Sequence, residues 1–253
     1  MELHGAVAVV TGTSSGLGRQ IAVDLAGAGA VVLGLARRAS LQEELGAELG
    51  RRSPGSRAEV CDVADGVGFA GKLAAWEEER GRIDVLVNNA AAFEPEEPPT
   101  LEGFRQVMET NFFAAVGSTL AVLPGMRRRG KGAVVNVSSD IARAPVPGEV
   151  AYGASKAALS AFTEGLAFEV GADGVVMHLV YPAYIPRGEA AEGDTPFAQR
   201  LVTRTDAQVS RLVLDRLRSG RPDVDAAWLP RLAPAFRAVA PGLYRRMAPR
   251  ANP

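Results

Sequence analysis

Residues 7–18, VAVVTGTSSGLG, decide how this chain is read. Val7 to Val10 form an apolar run of strand type, and Gly12, Gly16 and Gly18 then turn the chain into a segment of helical periodicity, Leu17 to Ala28. A glycine-rich turn between strand and helix leaves the free N–H groups of the helix start pointing at any bound anion, so Gly12, Thr13, Ser14, Ser15, Gly16, Leu17 and Gly18 are expected to cradle a pyrophosphate. The spacing is G-x-x-x-G-x-G rather than the commoner G-x-G-x-x-G. Taken alone, the loop therefore also reads as a plain glycine-rich turn.

Outward from this loop, short apolar runs alternate with longer helical patterns. Val31 to Leu35, Ile83 to Val87, Val134 to Val137 and Val175 to Val180 read as strands, with a weaker one at Arg57 to Val60. Leu41 to Leu49, Val67 to Arg80, Leu101 to Arg128, Ala151 to Val170 and Asp206 to Leu217 read as helices. Strands apolar at every position, separated by helices, imply right-handed crossovers and an α/β doubly wound parallel sheet with helices on both faces. Residues 1–253 are read as a single domain.

Composition narrows the function. A formal net charge of -1 provides no global field for a polyanion, which argues against nucleic acid. The single cysteine, Cys61, has no partner for a disulfide or a zinc site, and no metal is expected. The opening MELHGAVAVVTG lacks a basic region followed by a long apolar core, and no uninterrupted apolar stretch is long enough to suggest an integral membrane segment. A cytoplasmic location is expected.

Where the second strand ends, an NAD-selective site usually carries an acid for the ribose hydroxyls; here stand Ala36, Arg37 and Arg38. Two guanidinium groups suit a 2′-phosphate, although an exposed arginine pair also simply solvates a helix start. After the third strand, Asp62, with Val63 beside it, is placed to meet the adenine; capping the helix that begins near Asp65 competes for that role.

Three further segments follow in order: NNAA at 88–91, NVSS at 136–139 and YGASK at 152–156, with Tyr152 thirteen residues after Ser139. With the first loop, they resemble the short-chain dehydrogenase/reductase family over roughly residues 5–182. The resemblance implies a Rossmann-like sheet and a nicotinamide cofactor, which the arginines specify as NADP(H). It assigns Asn111, Ser139, Tyr152 and Lys156 to catalysis. It assigns Asn89, Ala90, Ala91, Pro182 and Ile185, with Tyr152 and Lys156, to the cofactor.

In that assignment Tyr152 is the proton donor in reduction and acceptor in oxidation. Lys156, one turn on, stabilises its phenolate and reaches the cofactor ribose; Ser139 holds the carbonyl; Asn111 orders water behind Lys156. The chain departs from the family at Ala91, where Gly is usual, and after the sixth strand, where Pro-Gly-x-x-x-Thr becomes Pro182, Ala183, Tyr184, Ile185, Pro186, Arg187.

The stretch at about 183–205 is expected to be a substrate lid, with Tyr184, Ile185 and Phe197 lining an apolar pocket. From Ala226 to Pro253 the chain is rich in Arg and Pro with no acid; it could lie on a membrane surface or cover the pocket, but four prolines from Pro230 to Pro249 break it into short pieces, so a long interfacial helix is not expected and packing on the domain or on a second subunit is the better expectation. The leading reading is an NADP(H)-dependent ketoreductase or alcohol dehydrogenase acting on a largely apolar small molecule as a homodimer or homotetramer. An epimerase or lyase without net redox change, and a silent nucleotide-binding protein, are the alternatives.

Overall fold

Neighbouring residues of strand β1 (Val7–Thr11) are all buried, yet they belong to two different cores: Val7 and Val9 pack into one apolar cluster, Ala8 and Val10 into the other. Side chains alternate across a strand, so a strand covered on both faces must be apolar throughout. The computed structural model describes residues 1–93, 100–146, 148–186 and 203–247. The remaining strands are β2 (Val31–Ala36), β3 (Arg57–Val60), β4 (Val85–Asn88), β5 (Gly132–Val137), β6 (Val175–Tyr181) and β7 (Asp223–Asp225). All lie parallel in one seven-stranded sheet of order β3-β2-β1-β4-β5-β6-β7. This is the doubly wound arrangement expected. Its direction reverses between β1 and β4, which opens a crevice at the carboxyl ends of the strands.

Helices α1 (Gly16–Gly27), α2 (Ala39–Arg52) and α7 (Asp206–Ser219) cover one face through Ile21, Leu25, Leu49, Val213 and Leu217. On the other, α3 (Gly66–Arg80), α5 (Ala114–Arg129) and α6 (Val150–Val170) contribute Leu73, Trp76, Met126 and Val170. Trp76 is wholly buried, with the guanidinium groups of Arg57 and Arg80 at 4.5 and 4.7 Å from its ring centroid.

Two differences from the sequence expectation bear on the site. The single helix expected over Leu101 to Arg128 is divided: α4 (Leu101–Met108) passes into a π-helical turn, Glu109–Phe113, before α5. The run Leu101–Arg129 is long and apolar enough by composition to cross a membrane, but its α5 residues Val122, Leu123 and Met126 are buried in the core facing the sheet. The second difference is β7, whose three residues carry no apolar run; only Val224 is buried.

After β7 come a 3₁₀ turn, Leu229–Leu232, and two short helices, α8 (Ala233–Val239) and α9 (Pro241–Met247). Neither the turn nor α8 has a buried residue, so packing of the tail on the domain is slight among the described residues. Most of the expected lid, including Arg187 and Phe197, lies outside the described residues.

Candidate active site

The first loop is shaped by close backbone approach. A side chain at Gly12, whose φ is +72°, would meet the Ala90 Cα at 2.8 Å; one at Gly18 would meet Asn89 Nδ2 at 2.3 Å and the Gly12 carbonyl at 2.4 Å. Only hydrogen fits at either position. Asn89 fastens the loop to the end of β4, donating through Nδ2 to the Thr11 carbonyl (3.0 Å), while Thr11 Oγ1 accepts from the Asn89 and Ala90 N–H groups. The N-cap of α1, Ser15, makes no capping bond and no acid occupies the first turn. The helix start thus keeps N–H groups unspent on its own side chains, as an anion site requires.

Thr13 and Gly18 do not line the cleft, contrary to the expectation that the whole loop contacts the ligand. Thr13 is fully buried because its Oγ1 donates to Gln42 Oε1 (3.0 Å), and Gln42 in turn donates to the carbonyls of Gly34 and Glu59. Gln42, a buried amide tying the loop to β2 and β3, has no signature in the sequence. At the adenosine end, Arg38 donates to Ser14 Oγ (2.7 Å) and Ser15 Oγ (2.6 Å), which sets its guanidinium beside the phosphate loop. Arg37, Asp62, Val63 and the buried Cys61 line the same region. The cap at the start of α3 is Asp65, which accepts from Gly68 N–H, so Asp62 is not needed for it.

At the other end Ser139 begins the turn after β5, its hydroxyl accepting from Ile141 N–H (3.4 Å), and Tyr152 lies in the first turn of α6; both line the cleft. Lys156 lies one turn further along, fully enclosed, its Nζ donating to the Val137 carbonyl (2.8 Å) and standing 5.7 Å from the Tyr152 ring centroid. Burial pulls the Lys156 ammonium down to about 8. Burial also raises the Tyr152 phenol, opposed by the Ser139 hydroxyl and reinforced by the charge of Glu149. The expected lowering of Tyr152 by Lys156 is therefore not delivered by these side chains alone: desolvation of the phenolate outweighs the Ser139 hydroxyl.

Asn111 sits in the π-helical turn, buried and outside the cleft lining. Its Oδ1 accepts from Ala92 N–H (2.7 Å), and Nδ2 donates to the Ala92 carbonyl (2.9 Å) and to Ser155 Oγ (3.0 Å). Both amide protons are spent in clamping the chain after β4 to α6. That clamp precedes Phe93, whose ring stacks on Tyr152 with centroids 4.3 Å apart. Phe93 and Glu149 line the cleft and were not foreseen.

Beyond Ser139 lies a charged cluster. Arg143 covers the ring of Tyr181, its guanidinium carbon 3.3 Å from the centroid, and hydrogen-bonds Asp225 of β7. Asp225 also pairs with Arg231 of the tail (3.1 Å). Asp140 Oδ1 stands 3.8 Å from Arg143, buried and without a hydrogen-bond partner, and burial pushes its carboxyl up to about 6. Of the two departures noted at glycine positions, Ala91 sits on ordinary backbone while Ala183 is held at φ +66°, a strained conformation for a side-chain-bearing residue.

The cleft, of about 680 Å³, is lined at one end by Ser14, Ser15, Gly16, Leu17, Arg37 and Arg38 and at the other by Ser139, Tyr152 and Lys156. Gly12, Asn89, Ala90, Ala91, Pro182 and Ile185 lie between. A long cleft with a glycine cradle and an open helix start fits a dinucleotide.

The short chain dehydrogenase family profile matches residues 6–193. Dehydrogenase/reductase SDR family member 7B of Bos taurus is 35% identical over 270 residues, covering 99% of this chain and 82% of that protein. The 3-oxoacyl-acyl-carrier-protein reductase FabG of Vibrio cholerae is 34% identical over 187 residues, 73% of this chain and 75% of its own. Among solved structures, a short-chain dehydrogenase from Streptomyces avermitilis superposes with a TM-score of 0.79 at 31% identity, covering 94% and 93% of the two chains. An actinorhodin polyketide ketoreductase with NADPH gives 0.78 at 26% identity, covering 88% and 96%. Fold, profile and relatives agree, and the chain belongs to the short-chain dehydrogenase/reductase family of nicotinamide-dependent, hydride-transferring oxidoreductases.

Proposed function

We propose that this enzyme is an NADP(H)-dependent reductase of a largely apolar small carbonyl compound, or the alcohol dehydrogenase of the reverse direction, with Tyr152 as acid and base. The observation that carries this reading is a single cleft with Arg37 and Arg38 at one end and Ser139, Tyr152 and Lys156 at the other. A nicotinamide cofactor, when bound, supplies or accepts the hydride. Gly12, Ser14, Ser15, Gly16 and Leu17 would hold its pyrophosphate, Arg37 and Arg38 a 2′-phosphate, Asp62 and Val63 the adenine. Lys156, Asn89, Ala90, Ala91, Pro182 and Ile185 would hold the nicotinamide half.

Ser139 and Tyr152, at the same end of the cleft, present two hydroxyls to one substrate oxygen. Ser139 orients the carbonyl, and Tyr152 passes its proton to the oxygen as charge develops there. Lys156, drawn down by burial to about 8, still carries its proton for the most part at pH 7, and that positive form steadies a phenolate at Tyr152. Asn111 acts as a positioning residue through Ala92 and Ser155. The NADPH of the actinorhodin ketoreductase and the reductase activity named for FabG support the direction and the cofactor. We place the enzyme in the cytoplasm as a homodimer or homotetramer; exposed Phe113 at the end of the π-helical turn, Leu120 of α5 and Phe168 of α6 offer apolar side chains to a second copy.

Fluorescence titration with NADPH and NADH, followed by a screen of ketones and alcohols at the NADPH absorbance, tests the reading. Tighter NADPH binding and carbonyl-dependent oxidation are expected. Equal affinities would remove the cofactor assignment, and substrate conversion with no change in NADPH would show an isomerase or lyase instead.

A further inference from the structure

The tail after β7 has a composition unlike the rest of the molecule. From Ala226 to Pro253 it contains Arg231, Arg237, Arg245, Arg246 and Arg250 and no acidic side chain. Trp228, Leu229, Leu232, Val239 and Leu243 are all exposed there. The helices α8 and α9 meet each other through the edge contact of Phe236 and Tyr244, ring centroids 6.1 Å apart, and α8 buries no residue. Among the described residues, Arg237 and Arg246 form no ion pair. An element that exposes large apolar side chains and unpaired arginines together lacks its natural surroundings.

Its place in the fold gives that surface a direction. β7 runs parallel to β6 with Asp225 opposite Tyr181, so the chain leaves the sheet at the carboxyl edge, beside Pro182 of the cleft. Arg231 holds the tail there through Asp225, which Arg143 links to the turn after Ser139. The exposed face therefore lies on the same edge as the cleft.

We propose that Trp228–Met247 is a peripheral docking element that settles on an anionic lipid bilayer, with the cleft edge towards it. Arginines meet lipid phosphates while their stems, Trp228 and the leucines enter the headgroup and acyl boundary, the division of labour of an interfacial segment. A second copy is the poorer occupant, because a two-fold contact sets the same patch against itself and brings arginines to arginines with no acid to meet them. Docking does not depend on the reductase reading; if that reading holds, docking brings the cleft to amphiphilic carbonyl compounds held in the bilayer.

The chain carries two tryptophans, Trp76 fully buried and Trp228 exposed, so a change of emission on adding vesicles reports the tail. The full-length protein is mixed with vesicles of phosphatidylcholine alone or with phosphatidylglycerol, and partition is read by co-sedimentation and by that emission. A blue shift and co-sedimentation on the anionic vesicles, reduced by salt, are expected. The double variant Arg237→Gln with Arg246→Gln should weaken partition about tenfold or more, and Trp228→Ser should reduce it while leaving NADPH affinity unchanged. Absence of partition, or partition indifferent to lipid charge and to both variants, overturns the proposal. So does a fall in sedimentation mass of the tail variants without any lipid binding, which assigns the face to a second copy. NADPH titration on the same samples separates the two readings: protein that binds NADPH and ignores vesicles loses only the docking.

Discussion

The two ends of the cleft are built differently. The pyrophosphate end is made of backbone pressed on backbone, with Gly12 against Ala90, Gly18 against Gly12 and Asn89, and Thr13 locked by the buried Gln42. The catalytic end is made of side chains at the surface of the sheet: Phe93 stacked on Tyr152, the strained Ala183, and the Arg143 cluster that reaches β7 and the tail. The first end is rigid because nothing larger than hydrogen fits. The second is held by a few contacts, each of which can change without unfolding the sheet, which suits a fold whose cofactor stays constant while its substrate varies.

That contrast is most severely tested at Tyr152. Tyr152→Phe should lower turnover by about 10²–10⁴-fold while NADPH affinity, measured by fluorescence, stays nearly unchanged. Retention of most of the wild-type rate would remove Tyr152 from proton transfer. Arg38→Ala should show the reverse pattern, weakening NADPH binding by about ten- to a hundredfold and leaving NADH binding almost as it was. An equal loss for both cofactors would mean that Arg38 serves only to brace Ser14 and Ser15.

The difference in rigidity is read by adding one methyl group at each place. Gly18→Ala should destabilise the fold on the order of 1–3 kcal/mol in a denaturant titration and impair cofactor binding. Gly242→Ala, in a part of α9 with nothing within 4 Å, should change neither. At the catalytic end, Phe93→Ala removes the ring stacked on Tyr152, an interaction worth about 0.5–1.5 kcal/mol. It should alter kcat and KM for different carbonyl substrates unequally, with NADPH affinity preserved. A uniform effect across substrates would make Phe93 a support for Tyr152 and no more.

The smallest effect is one of pH. Because the folded state raises Asp140 to about 6, it holds that proton more tightly than the unfolded chain, and the stability linked to it falls as pH rises through 4 to 6. His178, buried and pulled down to about 4, gives the opposite slope, losing stability as pH falls from 6.5 to 4. Asp140→Asn should therefore leave the His178 slope exposed and stabilise the protein on the order of 1 kcal/mol above pH 6, with the difference vanishing near pH 4. Melting curves across this range check it. Equal curves for the two proteins would mean that Asp140 is as well solvated as an ordinary carboxylate.

The strand and helix alternation, the glycine loop and the pairing of Tyr152 with Lys156 were legible in the amino-acid sequence because each is a local matter. A period of two or 3.6, a residue with positive φ, or a four-residue step on one helix face is written in adjacent positions. Contacts between distant positions were not legible. Thr13 meets Gln42 across 29 residues, Asn111 meets Ser155 across 44, and Arg143 meets Asp225 across 82. Their side chains join only because the sheet order sets β2 beside β1 and β7 beside β6, and because a π-helical turn rotates Asn111 inward. The three residues of β7 likewise become a strand only by pairing with the edge of β6. Spacing records which face a residue occupies, whereas register and layer order decide what that face meets, and no local pattern carries that information.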